Sequence, residues 1–475
     1  MKARTVSLKW IVSHRHEVAL FLLFAIYCFY FTTTSFLRFD NFHTGRFDLG
    51  NMDQAVWNTI NGRIFQASNS NGVIISRLSA HADFMLILLS PFYLVWSHPK
   101  MLLLIQTLVV GAGAFFVYAI GKSIIKNKNI ALVFAFTYLL NPAVQRTNLY
   151  DFHAVTLATT FLLGTYYFYL KKNYKYFTLF ALLSALCKEQ VWLIIALFGI
   201  LLFIQQKKRL FGAIVFLASI GIFYFLIWYA IPQALGSQHF ALAYYSDFGD
   251  SPSKVILTVL LSPQKILGII FQPNRINYLI QLFSPHGYLS FLSPVYLIFA
   301  VPDLLINLLS SKQLFRELYY QYTANISPFI FIAAIHSVVL IKKRVPIIPS
   351  AFFIFYLLIN SLIASYLYGP LPGTVRQDVK MYTYPIKNQK FISDYLAGIP
   401  KRYSVAVTNN VGSHVSQREQ VFVIPSGVET ADMVIFLRIG SNERKLIQKL
   451  KYNPNYELTI EKGEFVVFKK RVISN

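Results

Sequence analysis

Four short polar segments carry side chains that could do chemistry, in a chain that is otherwise strongly apolar. Their acidic, basic and imidazole residues are Asp48 and Asp53, His81 and Asp83, Asp151 and His153, and Lys188 and Glu189. Carboxylates and imidazoles transfer or orient protons, and a lysine can pair with a phosphate group. These residue types point to chemistry at a phosphate-bearing molecule, provided that the fold brings the four segments together.

Asp48 and Asp53 lie in "FHTGRFDLGNMDQAVWNTINGR", which follows the first apolar run. The pattern of residues 49–60 predicts an amphipathic helix, so Asp48 can act as its N-cap and accept backbone N–H bonds. Asp53 lies five positions further on, about 140° around a helix, and the two acids do not share a helical face. A paired-carboxylate site made of these two acids alone is therefore not expected.

The motif "DFH" places Asp151 and His153 on the same side of an extended loop. Such a pair can orient the imidazole or contribute to a metal site, but it can equally form loop hydrogen bonds or cap the helix that follows. One histidine and one aspartate are too few ligands to hold a metal on their own.

Lys188 and Glu189 stand between two apolar runs, in "ALCKEQ". An ionised pair is costly there unless it is buried in protein or lines a watery cavity. The two residues can neutralise each other at the tip of a hairpin, or Lys188 can face a phosphate. His81, and likewise Tyr320 and Tyr322, fit positions at a membrane interface as well as a binding site.

The composition indicates an integral membrane protein. Of the 475 residues, 55% are hydrophobic and only 13% are charged, which is too apolar for an ordinary soluble domain. Charge-free runs at residues 18–37, 101–121 and 210–231 reach the roughly 20 residues that a helix needs to cross a bilayer. The two cysteines both lie in apolar runs and predict neither a disulfide nor a thiolate metal site.

The net charge of +24 does not indicate nucleic-acid binding, because much of it lies in short basic clusters between the apolar runs. Five clusters that contain no acid are placed in the cytoplasm by the positive-inside rule. They are Lys2, Arg4, Lys9 and Arg15; Lys122, Lys126 and Lys128; Lys171, Lys172 and Lys175; Lys207, Lys208 and Arg209; and Lys342, Lys343 and Arg344. An even number of crossings between consecutive clusters then puts all four polar segments on the outer face.

The sequence therefore predicts an all-α polytopic domain at residues 1–368, with about 11 transmembrane helices by the charge rule. The first external loop, residues 38–100, is expected to include a short surface helix at residues 83–96, and the run 176–206 should break at "CKEQ". Residues 369–475 predict a small extracytoplasmic α/β domain. Its expected elements are strands at 403–408, 421–425 and 432–438, a helix at 442–450, and a hairpin at 456–470 that turns at Lys462 and Gly463.

The order of several motifs is familiar. They are "FDLGNMDQAVW", "SRLSAHADFMLILLSPFYLVWSHPKMLLLIQTLVVGAGAFFVYAIGK", "NLYDFH", "ALCKEQ", "YYQYTANISPFIFIAAI" and "VTNNVGSHVSQREQVFVIP". Over nearly its whole length the chain resembles a family of prokaryotic membrane proteins of unknown function that is grouped with the GT-C glycosyltransferases. That superfamily includes the protein O-mannosyltransferases, the oligosaccharyltransferases and the aminoarabinose transferase of lipid A.

The resemblance implies that an acid of the first external loop acts on a sugar carried by polyprenyl phosphate or diphosphate. That acid falls on Asp48, with Asp53 as the alternative, and it would deprotonate or orient the acceptor hydroxyl. Many such transferases carry an adjacent Asp-Glu pair in this loop, whereas here Leu49 follows Asp48. Lys188, with Arg77 or Arg146, would neutralise the departing phosphate.

Further contacts to the sugar, or support for these groups, are expected from Glu189, His81, Asp151, His153, Tyr320 and Tyr322. A divalent cation, Mg²⁺ or Mn²⁺, could assist phosphate departure, although the sequence contains no dedicated metal site.

The sequence thus predicts a multi-pass glycosyltransferase of the cytoplasmic membrane, with its N-terminus in the cytoplasm. Its expected partners are a lipid-linked sugar donor, membrane lipids and an extracytoplasmic acceptor. One alternative is a transporter or flippase for lipid-linked sugars, but the charges cluster toward one face and no convincing internal repeat is present. The other is a non-catalytic envelope protein whose external domain binds a partner.

Overall fold

The computed structural model describes residues 12–237 and 240–471, which are mostly helical with a small sheet near the C-terminus. Three residues of the first basic cluster, Lys2, Arg4 and Lys9, lie outside this part of the chain. In the N-terminal half the α-helices are α1 (Arg15–Asp40), α2 (Asn51–Ile60), α3 (Met85–Leu89), α4 (Lys100–Ile125), α5 (Lys128–Leu140), α6 (Pro142–Leu149), α7 (Ala154–Leu170), α8 (Tyr174–Ala185), α9 (Val191–Ile204), α10 (Arg209–Phe225) and α11 (Ile231–Leu235).

The second half continues with shorter helices and ends in the sheet. Its helices are α12 (Pro252–Leu261), α13 (Pro263–Ile270), α14 (Pro273–Phe283), α15 (Val301–Leu309), α16 (Ser327–Arg344), α17 (Ser350–Tyr368), α18 (Lys380–Thr383), α19 (Gln389–Ala397) and α20 (Ser441–Lys451). The strands are β1 (Gln66–Ser68) and β2 (Ile74–Ser76) in the first loop, then β3 (Val405–Val407), β4 (Val421–Val423), β5 (Met433–Phe436), β6 (Tyr456–Lys462) and β7 (Phe465–Lys470).

Four helical stretches of the described chain are long and apolar enough to cross a membrane. They are α1, α4, the continuous run Arg209–Leu235, and α17, and the bent pair α12 and α13, which meet at 89°, can add a fifth. Five further apolar helices have only 10 to 17 residues. Length and composition in the structure therefore support four to five spans and do not establish the expected number of about 11.

Two local predictions for the helical part are confirmed. The run at residues 176–206 is broken between α8 and α9 at the "CKEQ" segment. At residues 83–96, α3 continues into a 3-10 helix, Ser90–Leu94, and the combined segment Met85–Leu94 is too short to cross a bilayer untilted. Its expected position along the membrane surface stays a prediction.

The predicted N-cap role of Asp48 is wrong. Asp48 lies inside a π-helical turn, Arg46–Gly50, that runs without interruption into α2. Gly50, the residue before α2, already has helical dihedral angles, and no side chain caps that helix. Because the backbone at Asp48 is part of the turn, its carboxylate points away from the helix start and is available to other segments.

The predicted elements of the C-terminal region are all present. The five strands are ordered β4-β3-β5-β7-β6, with parallel pairing among β4, β3 and β5 and antiparallel pairing from β5 through β7 to β6. Side chains alternate across the sheet, so Val405 and Val407 enter one core while Ala406 enters the other. The hairpin between β6 and β7 turns at Gly463, which has a φ of +64°.

Helices α9 and α10 pack closely because two glycines face each other. A methyl group added at Gly212 would lie 2.5 Å from the backbone nitrogen of Phe203 and 2.6 Å from the carbonyl oxygen of Gly199. At Gly221, on the same helix α10, nothing lies within 4 Å of an added methyl group. Small residues at a helix interface are a common way for apolar helices to associate in membranes.

We therefore expect Gly212→Ala to destabilise the protein by about 1–3 kcal/mol, because the added methyl group forces the two backbones apart. The matched control, Gly221→Ala, should be neutral or slightly stabilising, since alanine favours a helix by about 1 kcal/mol over glycine. The measurement is the thermal unfolding midpoint of the purified proteins in detergent. Equal midpoints for the two variants would contradict this packing.

Candidate functional site

The turn that carries Asp48 is held by groups from distant parts of the chain. The backbone N–H of Gly45 donates to the Asp151 carboxylate at 2.8 Å. The N–H groups of Arg46 and Phe47 donate to the side-chain oxygen of Asn409, at 2.8 Å and 3.3 Å. Backbone groups that enter a turn lack helical partners, so these contacts fix its position.

The carboxylate of Asp48 is bound by two ring side chains from the segment between α6 and α7. Its Oδ1 lies 3.1 Å from Nε2 of His153, and its Oδ2 accepts a hydrogen bond of 2.9 Å from the Tyr150 hydroxyl. The Asp48 side chain remains 30% exposed, whereas His153 is only 5% exposed. The carboxylate is thus fixed in direction and still reachable.

Burial opposes ionisation of Asp48, but the hydrogen bonds from His153 and Tyr150 outweigh it, with help from the charge of Arg77. The pKa of Asp48 therefore lies below its ordinary value. Asp48 is an ionised hydrogen-bond acceptor at neutral pH, and the Nε2–H of His153 donates to it.

Aromatic rings surround this pair. The Tyr150 ring stacks on His153, and the edges of Tyr319 and Tyr320 meet Tyr150 at centroid distances of 5.3 Å and 5.0 Å. Tyr322 follows at 6.2 Å from Tyr320. Burial raises the pKa of both Tyr320 and Tyr322, and the negative charge of Asp48 raises each further. These two tyrosines of the sequence prediction therefore lie within electrostatic range of Asp48.

Asp151 supports the turn and does not bind the imidazole of His153 through its carboxylate. Besides Gly45, its carboxylate faces Arg38 at 3.9 Å, and Arg38 in turn pairs with Asp378 at 3.2 Å. Burial raises the pKa of Asp151 to about 6, and the neighbouring charge of Asp48 adds to the shift. Asp151 therefore forms the loop hydrogen bond that was one of the alternatives. His153 is the residue directly before α7, and its side chain does not cap that helix.

His81 and Glu189 form a second polar pair of the predicted set. Their side chains are 3.0 Å apart, and the other Glu189 oxygen accepts from the backbone N–H of Ala82 at 3.1 Å. Of the two alternatives for Lys188, the ion pair with Glu189 is not formed, because Glu189 turns toward the first loop. Lys188 is half-buried, and its ammonium group makes no hydrogen bond or ion pair with the residues that the structure describes.

The charge of Arg77 acts on both polar pairs. Its guanidinium binds the Asp83 carboxylate, with a closest distance of 2.8 Å, and donates to Asn51 at 3.2 Å. Its charge lowers the pKa of both Asp48 and His81. For His81 burial is the largest cause of that lowering, and the charge of nearby Lys188 contributes.

Two predicted site residues have structural contacts instead. Asp53 is fully buried, and its carboxylate accepts hydrogen bonds from Tyr93, Ser416 and Gln417. Arg146 is buried and donates to the backbone carbonyls of Tyr368, which ends α17, and of Gly369 and Arg376, which follow it. Asp53 ties α2 to the C-terminal region, and Arg146 ties α6 to the linker that leads there.

The segment at residues 408–420, here called the clamp segment, packs against the Asp48 turn. Thr44 and Ser413 share a hydrogen bond of 2.8 Å. A methyl group at Gly412 would lie 2.2 Å from Cβ of Arg46, and one at Gly50 would lie 3.0 Å from Cα of Ser413. These close approaches require glycine, and they explain why "NNVGSH" fits against "RFDLG".

The sequence reasoning missed three of these residues: Tyr150, Arg38 and Asn409. Tyr150 stands directly before Asp151 in the "NLYDFH" motif, so its position was a usable signal. Arg38 carries a charge at the end of an apolar run, which looks like an ordinary interfacial arginine. Asn409 acts across 363 residues of sequence, and no local pattern marks such a contact.

The described side chains do not by themselves form a complete metal centre. Among residues 12–237 and 240–471, no group of three or more histidine, cysteine, aspartate or glutamate side chains is placed to hold a metal ion.

The fold and the site define a mostly helical membrane protein with a carboxylate–imidazole site at the helix ends and a small sheet packed against it. The chain belongs to the DUF2079 family of predicted membrane proteins, whose model matches residues 38–467. No curated protein matches the sequence.

Among solved structures, the fold is similar to that of ArnT from Cupriavidus metallidurans, a GT-C glycosyltransferase whose structure was solved bound to undecaprenyl phosphate. The TM-score is 0.53 at 11% sequence identity, and the match covers 94% of this chain and 97% of ArnT. An identity this low shows the fold alone. The resemblance to GT-C proteins that the motifs predicted is confirmed.

The buried carboxyl of Asp53 gives a pH-dependent prediction. Burial raises its pKa to about 6, although hydrogen bonds from Ser416, Tyr93 and Gln417 oppose the shift. An unfolded aspartate titrates near 4, so the folded protein holds this proton more tightly. The contribution of Asp53 to stability should therefore decline as the pH rises from about 4 to about 6 and stay low above that range.

Asp53→Asn fixes the neutral form, so relative to wild type it should be more stable near pH 7.5 than near pH 5, by about 1–1.5 kcal/mol. Thermal midpoints at the two pH values measure the difference, and Asp394→Asn, an exposed position of α19, is the control. An Asp53→Asn effect that is the same at both pH values would show that the carboxyl stays ionised throughout.

Proposed function

We propose that this protein is a membrane glycosyltransferase that takes a sugar from a polyprenyl-phosphate-type donor and transfers it to an extracytoplasmic acceptor. The observation that carries the proposal is the partly exposed Asp48 carboxylate, held by His153 and Tyr150 at the helix ends of an ArnT-like fold. The ArnT structure contains undecaprenyl phosphate. A donor of that class keeps its tail in the bilayer and its phosphate at the interface.

In the proposed reaction the acceptor hydroxyl attacks the anomeric carbon of the sugar. The bond from that carbon to the phosphate oxygen breaks, and its electron pair leaves with the phosphate. A carboxylate of low pKa is a weak base at rest, so Asp48 would first orient the hydroxyl by accepting its hydrogen bond. Asp48 would take the proton as the hydroxyl becomes acidic in the transition state, while His153 and Tyr150 hold the carboxylate in place.

Lys188 is the group proposed to receive the departing phosphate. It is half-buried and makes no ion pair with the part of the chain that is described, so its charge remains available. A lysine ammonium is a compact cation suited to phosphate oxygens. Arg77 would add positive potential but not a direct contact, because Asp83 already binds its guanidinium. Arg146 is not part of this proposal, since backbone carbonyls bind it.

The proposal includes the membrane topology predicted from the charge clusters. About 11 crossings would leave the N-terminus in the cytoplasm and residues 369–475 outside. The contact between Asn409 and the Asp48 turn supports this arrangement, because it puts the C-terminal sheet on the same side of the helices as the site.

The first test compares the two loop acids. Asp48→Asn should lower sugar transfer by about 10²–10⁴-fold, because it removes the charge that orients and deprotonates the hydroxyl. Asp53→Asn should leave transfer within about threefold of wild type, because Asp53 contacts only structural groups. The readout is consumption of radiolabelled polyprenyl-phosphate sugar in proteoliposomes supplied with envelope extract. Unchanged transfer by a folded Asp48→Asn protein would refute the assignment.

The second test concerns the donor. Mass spectrometry of lipids that co-purify with the protein should detect a polyprenyl-phosphate species in wild type. Lys188→Ala should deplete that species by about tenfold or more, because a charge-assisted contact to phosphate is lost. Lys175→Ala removes an exposed lysine at the start of α8 and should keep the lipid. Equal lipid content in both variants would exclude Lys188 as the phosphate ligand.

A further inference from the structure

A polar cavity lies on the far side of Tyr319 from the Asp48 site. It has a volume of about 540 Å³ and opens between α14, the segment before α16, and the linker after α17. Four of its lining residues are basic: Arg146, Arg316, Arg376 and Lys380. Two are acidic, Glu317 and Asp378.

The acids of this cavity offset only part of its positive charge, since Glu317 and Asp378 stand against four basic residues. Asp378 already pairs with Arg38 at 3.2 Å. The Arg316 guanidinium donates to the backbone carbonyls of Ser310 and Asn307, as Arg146 does to the linker, and carbonyls cancel no charge. The cavity therefore presents an excess of cations at a surface that water can reach.

Two of the four basic residues are free to meet a ligand. Arg376 and Lys380 are both exposed on the linker. The Arg376 guanidinium lies 5.3 Å from the centre of the Tyr368 ring and donates one hydrogen bond of 3.0 Å to Gln281. An arginine placed in this way still has donors for a bidentate contact with a phosphate or carboxylate.

The rest of the lining suits a sugar. Amide side chains that can bond to hydroxyl groups come from Asn274, Asn277, Gln281, Gln313 and Gln377, and Tyr319 and Tyr368 supply ring surfaces. The wall residue Tyr319 also meets the Tyr150 ring at 5.3 Å, and Tyr150 binds Asp48. Two aromatic rings, Tyr319 in the cavity wall and Tyr150 behind it, thus lie between the cavity and the candidate base.

We infer that this cavity binds the acceptor, an anionic saccharide whose phosphate or carboxylate is held by Arg376 and Lys380. The inference rests on the proposed function, because the term acceptor assumes glycosyl transfer. It makes the anion-binding part of the acceptor site separate from the Lys188 site for the donor phosphate. Because Tyr319 and Tyr150 lie between this cavity and Asp48, the reacting hydroxyl belongs to a part of the acceptor that extends beyond the cavity to Asp48.

The test uses the full-length protein in nanodiscs of neutral lipid, with glucose 1-phosphate as the probe and glucose as its uncharged counterpart. Isothermal titration calorimetry should detect saturable binding of glucose 1-phosphate to wild type and much weaker binding of glucose. Arg376→Ala with Lys380→Ala should weaken the binding by about tenfold or more, because two charge-assisted contacts are lost. Arg376→Lys with Lys380→Arg keeps both charges and should retain most of the affinity.

The matched control, Arg444→Ala with Lys445→Ala, removes the same charge from the exposed face of α20 and should bind like wild type. The inference is overturned if wild type shows no saturable binding, if both double-alanine variants behave alike, or if glucose binds as tightly as its phosphate. If the probe no longer binds when the nanodiscs contain phosphatidylglycerol, a membrane lipid occupies the cavity and the inference is overturned. Lipid co-purification with Lys188 variants is independent, so a protein that retains polyprenyl phosphate yet fails these titrations refutes the cavity assignment alone.

Discussion

The site depends on the contacts of the buried Arg38 guanidinium with two carboxylates. Arg38 lies in the last turn of α1, between Asp378 at 3.2 Å and Asp151 at 3.9 Å. A buried charge of this kind is strongly destabilising if one partner is lost. The arginine therefore fixes α1 to the segment before α7 and to the linker that leads to the C-terminal sheet, and these are the parts that surround Asp48.

This arrangement also separates the behaviour of two neighbouring carboxyl groups. Asp48 has ring donors and a path to solvent, and its pKa is lowered. Asp151 is enclosed, sits near the charge of Asp48, and has a pKa of about 6 despite Arg38. Environments that shift the pKa values of two neighbouring acids in opposite directions suit the two acids to different roles. One acid is available for a substrate, and the other holds the backbone N–H of Gly45.

The sequence carried enough information to bring most of the site together. Helix ends can be located from apolar runs and basic clusters, so the segments of Asp48, His153 and Glu189 were expected on one face. The expected pairings within segments were less successful. Asp151 and His153 do face the same turn, yet they contact Gly45 and Asp48 separately, and Glu189 binds His81 instead of Lys188. Neighbours in sequence were paired because local spacing says nothing about the partner across the fold.

The C-terminal strands could be predicted from alternating residues and turn signals, but their contact with the first loop could not. That contact depends on Asn409, whose side chain satisfies backbone N–H groups of the Asp48 turn. It also depends on Gly412, which has no side chain where Arg46 approaches. Neither property is visible as periodicity or charge, because each belongs to a surface formed by two distant segments.

A transferase that joins two phosphate-bearing substrates must hold both without letting their charges repel each other. The cations that the proposal assigns to these substrates lie in two separate groups. The charge of Lys188 lowers the pKa of His81 in the first loop, whereas Arg376 and Lys380 line the cavity behind Tyr319. The charge of Arg77, near the first group, lowers the pKa of Asp48. Toward the second group, Tyr150 binds Asp48 and meets Tyr319 at the cavity wall. Under the proposed function, the low pKa of Asp48 keeps its carboxylate ionised between the two cationic regions, where it can accept a hydrogen bond from the acceptor hydroxyl.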